Sequence, residues 1–262
     1  MTHDNRWVKK VTLTPPSLGD NTADADRLAA VLQRSLGVRT VHMDLDLLKQ
    51  LPARLREWNF RATAVLFKDG GGKGILVHLA AADSADTLCG LAVDLGTTRV
   101  VLRIIDLSTG VHMGESVFDN PQIAVGPDVL ARIHHVEKPD GLKLLNRLIV
   151  DGINDALRIL CDRCGVSRTN IHLMAVAGNT AMTHLLIGLN PRWMIREPYI
   201  PVVNRPGILT AAELGIQVHP TARALIFPNV GSYLGGDLIA GILYCDMDQR
   251  EETAILVDVG TN

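Results

Sequence analysis

The chain has 262 residues, 47% of them hydrophobic and 21% charged, with a formal net charge of −2. That is the composition of an ordinary globular protein, larger than one hydrophobic core usually serves, so a large domain with a smaller companion is expected. Acidic and basic residues are interspersed along the chain, which excludes the charge signature of a nucleic-acid or anionic-membrane partner. No apolar run approaches the roughly eighteen residues of a membrane span. The opening MTHDNRWVKK has no apolar core for a secretory signal, so the expected location is the cytoplasm. Cys89, Cys161, Cys164 and Cys245 are too few and too scattered for a disulfide framework.

In chain order, VKKVTLTPPSL (8–18) alternates like an extended segment until two prolines and Gly19 break it. DADRLAAVLQRSLG (24–37) has helical spacing with Gly37 as a stop, and a second helix is expected over 44–58, opened or kinked by Pro52. RATAVLF and GILVHLA then read as a hairpin around KDGGGKG. That turn resembles a phosphate loop, but Gly74 stands where Ser or Thr would follow Lys73, and Phe67 replaces the first glycine. Residues 23–88 therefore read as a small α+β domain. After Cys89, LAVDLG, VVLRIIDL and VHMGESVF are three closely spaced strands, followed by helical patterns over 127–136 and 141–165. A strand IHLMAVAG, a short helix from Thr180 to Leu186 and a proline-rich connection over 191–206 come next. A strand ALIFPNV, a helix from about Asp237 to Tyr244 and a last strand TAILVDV complete the pattern. A three-strand meander followed by alternating strands and helices describes an α/β layer.

The chemistry sits in GLAVDLGTTRV (90–100), where a strand delivers Asp94 to a sheet edge and Gly96 allows a turn that a side chain would block. The N–H groups of Gly96, Thr97 and Thr98 can then face one anion, aided by two hydroxyls. A carboxylate beside a phosphate makes sense if Asp94 holds a hydrated Mg²⁺ between them. Asp258, Gly260, Thr261 and Asn262 repeat the design in VDVGTN, and two such grips could clamp a polyphosphate from both sides. Among smaller signals, Asn120 and Gln122 flank Pro121 as a polar turn. Asn179, between Gly178 and Thr180, is either a helix cap or aimed by the preceding strand at a nucleotide cleft. Gly235 and Gly236 suggest a close approach, with Asp237 a cap or a second carboxylate near the metal. Cys161 and Cys164 form a C-x-x-C at a helix end without a second pair; His134, His135 and His184 read as ordinary helix residues.

The paired Asp-x-Gly-Thr motifs resemble the superfamily uniting acetate and sugar kinases, heat-shock chaperones and actin. That resemblance implies a ribonuclease H-like first lobe of the actin/sugar-kinase/chaperone fold, binding ATP and Mg²⁺. DNPQIAVGPDVLARI, VAGNTAMTHLLIGLNP and FPNVGSYLGGDLIAGI, in this order before LVDVGTN, are similar to the reductive activators of corrinoid proteins. These are ATP-dependent iron–sulfur proteins that return a cobalt(II) corrinoid to cobalt(I), in support of corrinoid-dependent methyltransferases. Arg99 stands where that family commonly has a third Thr, and Val125 and Pro127 depart from its pattern.

The resemblance implies four segments: an extended linker at 1–22, a middle domain at 23–88, the first lobe at 89–252 and, over 253–262, the first strand of a second lobe. It implies a corrinoid protein as partner, a homodimer through the middle domain, and a 2Fe–2S cluster in an N-terminal domain. This sequence lacks the C-x₄-C-x₂-C spacing of such a cluster, so it is expected to be an excised, inactive portion of a longer protein. Asp94 is the expected catalytic and Mg²⁺-orienting residue; Gly96, Thr97, Thr98, Asn120, Gln122, Gly178, Asn179, Thr180, Gly235, Gly236, Asp237, Asp258, Gly260, Thr261 and Asn262 are the expected nucleotide contacts. A small-molecule kinase of the same fold and a non-catalytic nucleotide-regulated scaffold are the competing readings.

Overall fold

A computed structural model describes residues 7–69, 71–232, 234–249 and 251–257. They divide into two compact units, one running up to Cys89 and including Asp106–Val111, the other comprising Gly90–Ile105 and His112 onward.

The smaller unit runs β1 (Val8–Thr12), α1 (Asp24–Leu36), β2 (Thr40–Met43), α2 (Leu45–Glu57), β3 (Arg61–Lys68) and β4 (Lys73–Ala81). Its sheet has the order β1-β3-β4-β2, with β2 and β4 parallel and the other pairs antiparallel. Helix α1 carries Asp24 and Asp26 in its first turn and Arg34 in its last, matching the helix dipole. Gly37 closes it in the left-handed conformation, where a side chain would be strained. Helix α2 begins at Leu45, so Pro52 lies inside it rather than opening it. Leu28, Leu32, Leu51 and Leu55 from the helices meet Ala62, Ala64, Leu66, Leu76 and Leu79 from the sheet in one core. The glycine-rich turn between β3 and β4 is a hairpin held by Asp69, whose Oδ1 accepts the N–H groups of Gly71 (3.0 Å) and Lys73 (2.7 Å).

The larger unit is built on β5 (Cys89–Leu95), β6 (Arg99–Asp106), β7 (His112–Asp119), β8 (Ile171–Gly178), β9 (Ile208–Thr210) and β10 (Arg223–Ile226), in the order β7-β6-β5-β8-β10-β9. β6 and β7 are antiparallel, β8 and β10 parallel, and β9 adds an antiparallel edge. The helices are α3 (Val129–His135), α4 (Gly141–Cys164), α5 (Thr180–Ile187) and α6 (Gly236–Tyr244). In α4 the buried positions Leu145, Ile149, Ile153, Leu157 and Leu160 fall at helical spacing and pack the helix against β7 and α5.

Three differences from the sequence reading have physical causes. β2 and β9 are only four and three residues long, too short to leave a periodic signal. β10 ends at Ile226 instead of running through Val230, because Pro228 has no N–H to continue the ladder. Residues 253–257 form no strand; among the described strands none pairs with them, and a strand needs a hydrogen-bonded neighbour.

Candidate functional site

Strand β5 ends with Asp94 exposed and Leu95 fully buried, and the chain turns through Gly96, Thr97 and Thr98 into β6. A Cβ at Gly96 would lie 2.3 Å from the Arg99 carbonyl oxygen, so the turn closes this tightly only on glycine. All three turn carbonyls are held. Gly96 O accepts Asn120 Nδ2 at 2.9 Å, Thr97 O accepts Arg132 Nη2 at 2.7 Å, and Thr98 O accepts the Asn120 backbone N–H at 2.8 Å.

Asn120 and Gln122, each 1% exposed, start the 3-10 turn Pro121–Ala124, with Asn120 Oδ1 capping it at the Gln122 N–H (3.0 Å). Gln122 Nε2 donates to Leu145 O on α4 at 2.9 Å, and its Oε1 accepts Arg132 Nη1 at 3.1 Å. Their side chains therefore act on the turn from within the protein. Arg132, on α3, is fully buried; its Nε donates to Gly126 O (2.9 Å) and its Nη1 also meets Met182 Sδ (3.1 Å). Burial pulls its pKa down to about 10, partly offset by Asp128, so the guanidinium is charged at neutral pH.

The end of β8 lies beside the end of β5. A Cβ on Gly178 would sit 2.7 Å from Leu95 O, which explains the small residue there. Asn179 does two jobs: its Oδ1 caps α5 through the Met182 N–H (2.9 Å), and its Nδ2 donates to Thr97 Oγ1 (3.0 Å). Thr180 is buried and its hydroxyl donates to Gly231 O at 3.0 Å. Gly235 is the N-cap residue of α6, where a Cβ would lie 2.4 Å from Asn179 Cα and 2.7 Å from Gly178 O. Gly236 donates its N–H to Asn229 Oδ1 at 3.1 Å, and Asp237 stands in the first turn of α6.

Gly96, Thr97, Thr98, Asn120, Gln122, Gly178, Asn179 and Gly235 are thus linked by direct contacts around two adjacent strand ends, with Thr180, Gly236 and Asp237 next to them in the chain. Asp258, Gly260, Thr261 and Asn262 lie outside the described residues.

Two further residues complete the site: Arg132, which the sequence left unremarked, and His184, which it gave as an ordinary helix residue. Arg132 is held by Thr97, 35 positions away. His184 on α5 is 1% exposed; its Nδ1 lies 2.7 Å from Thr180 O and its Nε2 3.2 Å from the Val202 N. The natural assignment is Nδ1–H donating to Thr180 O while Nε2 accepts from Val202, and burial lowers the imidazole pKa below 6.5. His134 is exposed and His135 half-buried. Among the described residues no three cysteines gather as metal ligands. Cys89 and Cys161 are buried, and burial pushes the Cys161 thiol up to about 11. These cysteines do not fit an iron–sulfur cluster.

A meander of three strands continued by β8 and β10, with helices packed on it and a glycine-closed turn at the strand ends, is the ribonuclease H-like lobe of the actin-like ATPase-type fold, here accompanied by a small α+β unit. The family described as the RACo middle region matches residues 89–250, and the RACo linker region matches residues 6–86. The chain belongs to the RACo family, the reductive activators of corrinoid proteins. It is 26% identical over 192 residues to the corrinoid activation enzyme RamQ of Eubacterium limosum, covering 73% of this chain and 32% of RamQ. It is also similar to a solved structure, the reductive activator for corrinoid, iron–sulfur protein. That similarity has a TM-score of 0.86 and 35% identity, over 94% of this chain and 39% of that one. The chain therefore spans less than half the length of either relative. No described helix is long and apolar enough to cross a membrane.

Proposed function

We propose that this chain is the linker and nucleotide-binding portion of an ATP-dependent activator that returns an oxidised corrinoid protein from cobalt(II) to cobalt(I). In this reading residues 1–22 are a linker, 23–88 the middle domain, 89–252 the first nucleotide-binding lobe and 253–262 the entry to a second lobe. The observation that carries the nucleotide part is the turn after β5. It combines an exposed Asp94, a Gly96 that admits no side chain, and three carbonyls held from within the protein. The family membership and the functions of the two relatives carry the corrinoid part.

The residues present fit a magnesium-bound polyphosphate. Asp94 would hold a hydrated magnesium ion and orient water at the phosphate, while the N–H groups of Gly96, Thr97 and Thr98, with the threonine hydroxyls, would donate to phosphate oxygens. Bound Mg·ATP supplies the free energy of phosphoryl transfer to water. Such a site does its work by positioning and by stabilising the charge that develops on the transferred group. ATP makes an uphill electron transfer possible only through its differential affinity for two states of the activator. No electron-carrying step is assigned to this chain, because its cysteines do not fit a cluster.

The test is to mix the full-length activator, of which this chain is the proposed linker and nucleotide-binding portion, with a chemical reductant and a cobalt(II) corrinoid protein, with and without Mg·ATP, and to follow the corrinoid absorption. Nucleotide-dependent appearance of cobalt(I), lost in Asp94→Asn, is the expected result. Reduction indifferent to both nucleotide and Asp94 would contradict the reading.

A further inference from the structure

We infer that Arg132 is the positioning residue of the phosphate-binding turn, orienting the Thr97–Thr98 peptide so that its N–H faces a bound anion. This rests on the nucleotide reading above and says how that site is held in shape. Gly96–Thr97 and Thr97–Thr98 are trans peptides, and in a planar trans peptide the C=O and the following N–H point in opposite directions. Asn120 Nδ2 holds Gly96 O at 2.9 Å, which directs the Thr97 N–H away from Asn120. Arg132 Nη2 holds Thr97 O at 2.7 Å, which directs the Thr98 N–H away from Arg132. The two donors lie on one side of the turn, because both approach the sulfur of Met182, Arg132 at 3.1 Å and Asn120 at 3.9 Å. Both N–H groups therefore leave the turn on the side opposite Met182, as consecutive donors in the manner of an anion nest.

The choice of arginine follows from the number of segments it joins. Its planar fork reaches Gly126 O through Nε, Gln122 Oε1 through Nη1 and Thr97 O through Nη2. Three acceptors, two on the 122–126 turn and one on the turn after β5, suit a rigid guanidinium, whereas a lysine ammonium is one point on a flexible stem. Asp128 fixes the start of α3 by accepting the Ala131 N–H at 2.7 Å, which sets Arg132 in register with the turn. Ion pairs place no carboxylate on Arg132 among the described residues. Its buried guanidinium hydrogen-bonds neutral acceptors.

The experiment is a titration of the ¹⁵N-labelled protein with Mg·ATP, following the backbone amides of Thr97 and Thr98, in wild type, Arg132→Lys and Ile133→Ala. Ile133 is buried on the same helix and touches none of these groups in a hydrogen bond, so its truncation destabilises without freeing the turn. Arg132→Lys is expected to weaken the titration about tenfold or more, and Ile133→Ala by less than about twofold. Wild-type affinity in a folded Arg132→Lys overturns the inference; so does an Ile133→Ala loss equal to that of Arg132→Lys, which would mark a general effect of instability. Should Arg132→Lys fail to fold, Gln122→Met loosens the guanidinium while leaving it in place; a several-fold loss supports the inference and wild-type affinity overturns it. No Mg·ATP shift in wild type would instead defeat the nucleotide reading. The peptide assignment is then judged on ligand-free spectra: a Thr98 amide displaced by Arg132→Lys and not by Ile133→Ala supports it, and one unmoved by Arg132→Lys overturns it.

Discussion

Replacing Gly96 with alanine perturbs the turn with a single methyl group. The added Cβ would lie 2.3 Å from Arg99 O, where ordinary contact begins at 3.4 Å, so backbone must move by about 1 Å. The turn cannot move freely, because its carbonyls are bonded at 2.9, 2.7 and 2.8 Å by Asn120 and Arg132. Overpacking of this kind costs about 1–3 kcal/mol, and losing one of the buried bonds adds about 1 kcal/mol. The lower entropy of the unfolded alanine chain returns somewhat under 1 kcal/mol. A net loss of roughly 2–3 kcal/mol lowers the melting temperature by about 5–10 °C in a protein of this size. Gly19→Ala is the control, since its Cβ would meet nothing nearer than Ser17 Oγ at 3.9 Å. Circular-dichroism melts of both variants decide the matter. A Gly96→Ala protein that melts within about 2 °C of wild type and of Gly19→Ala would refute the reasoning from close approach.

Asn179→Asp keeps the oxygen that caps α5 but can no longer donate an amide hydrogen to Thr97 Oγ1, and it adds a negative charge beside the turn. Stability should hold while Mg·ATP affinity drops about tenfold or more, as calorimetry would show; unchanged affinity contradicts that placement of the ligand. His184 stays neutral in the folded chain below the pH at which the unfolded imidazole protonates. The unfolded state therefore binds more protons, and stability falls as pH drops below 6.5, by at most about 1.4 kcal/mol per pH unit. Denaturant melts of wild type and His184→Gln should diverge in that window; parallel profiles would show that His184 is not the group. At pH 8 the native protein should be alkylated at half-buried Cys164 and Cys245, and spared at Cys89 and at Cys161, whose thiol is pushed up to about 11. Peptide mass spectrometry showing Cys161 modified as fast as Cys164 would contradict the burial argument.

Strands β3 to β8 and all six helices were legible because each carries a period or a stop that survives in one dimension: Gly37 after α1, Gly165 after α4, and the four-residue stripe of α4. β9 was hidden because three residues beside prolines have no pattern of their own; its identity comes from pairing with β10. The same divide runs through the site. Asp94, Gly96, Thr97 and Thr98 stood out because the Asp-x-Gly-Thr pattern recurs at 258–261, and the structure gathers them in one tight turn after β5. Asn120 and Gln122 could be chosen but not oriented, and the structure turns both inward to Gly96 O and Leu145 O. Arg132 and His184 were invisible as participants because their partners, Thr97 and Val202, lie 35 and 18 residues away. Burial of a polar side chain is a tertiary event, and local sequence does not announce it.

In the proposed function the turn after β5, and not the glycine-rich hairpin after β3, receives the phosphates of Mg·ATP. Hydrogen–deuterium exchange of the protein with and without saturating Mg·ATP compares the two directly. Slowed exchange is expected in peptides spanning residues 94–99 and 178–183, with no change across 68–74. Protection confined to 68–74, or none at 94–99 under conditions where binding is independently detected, would contradict it.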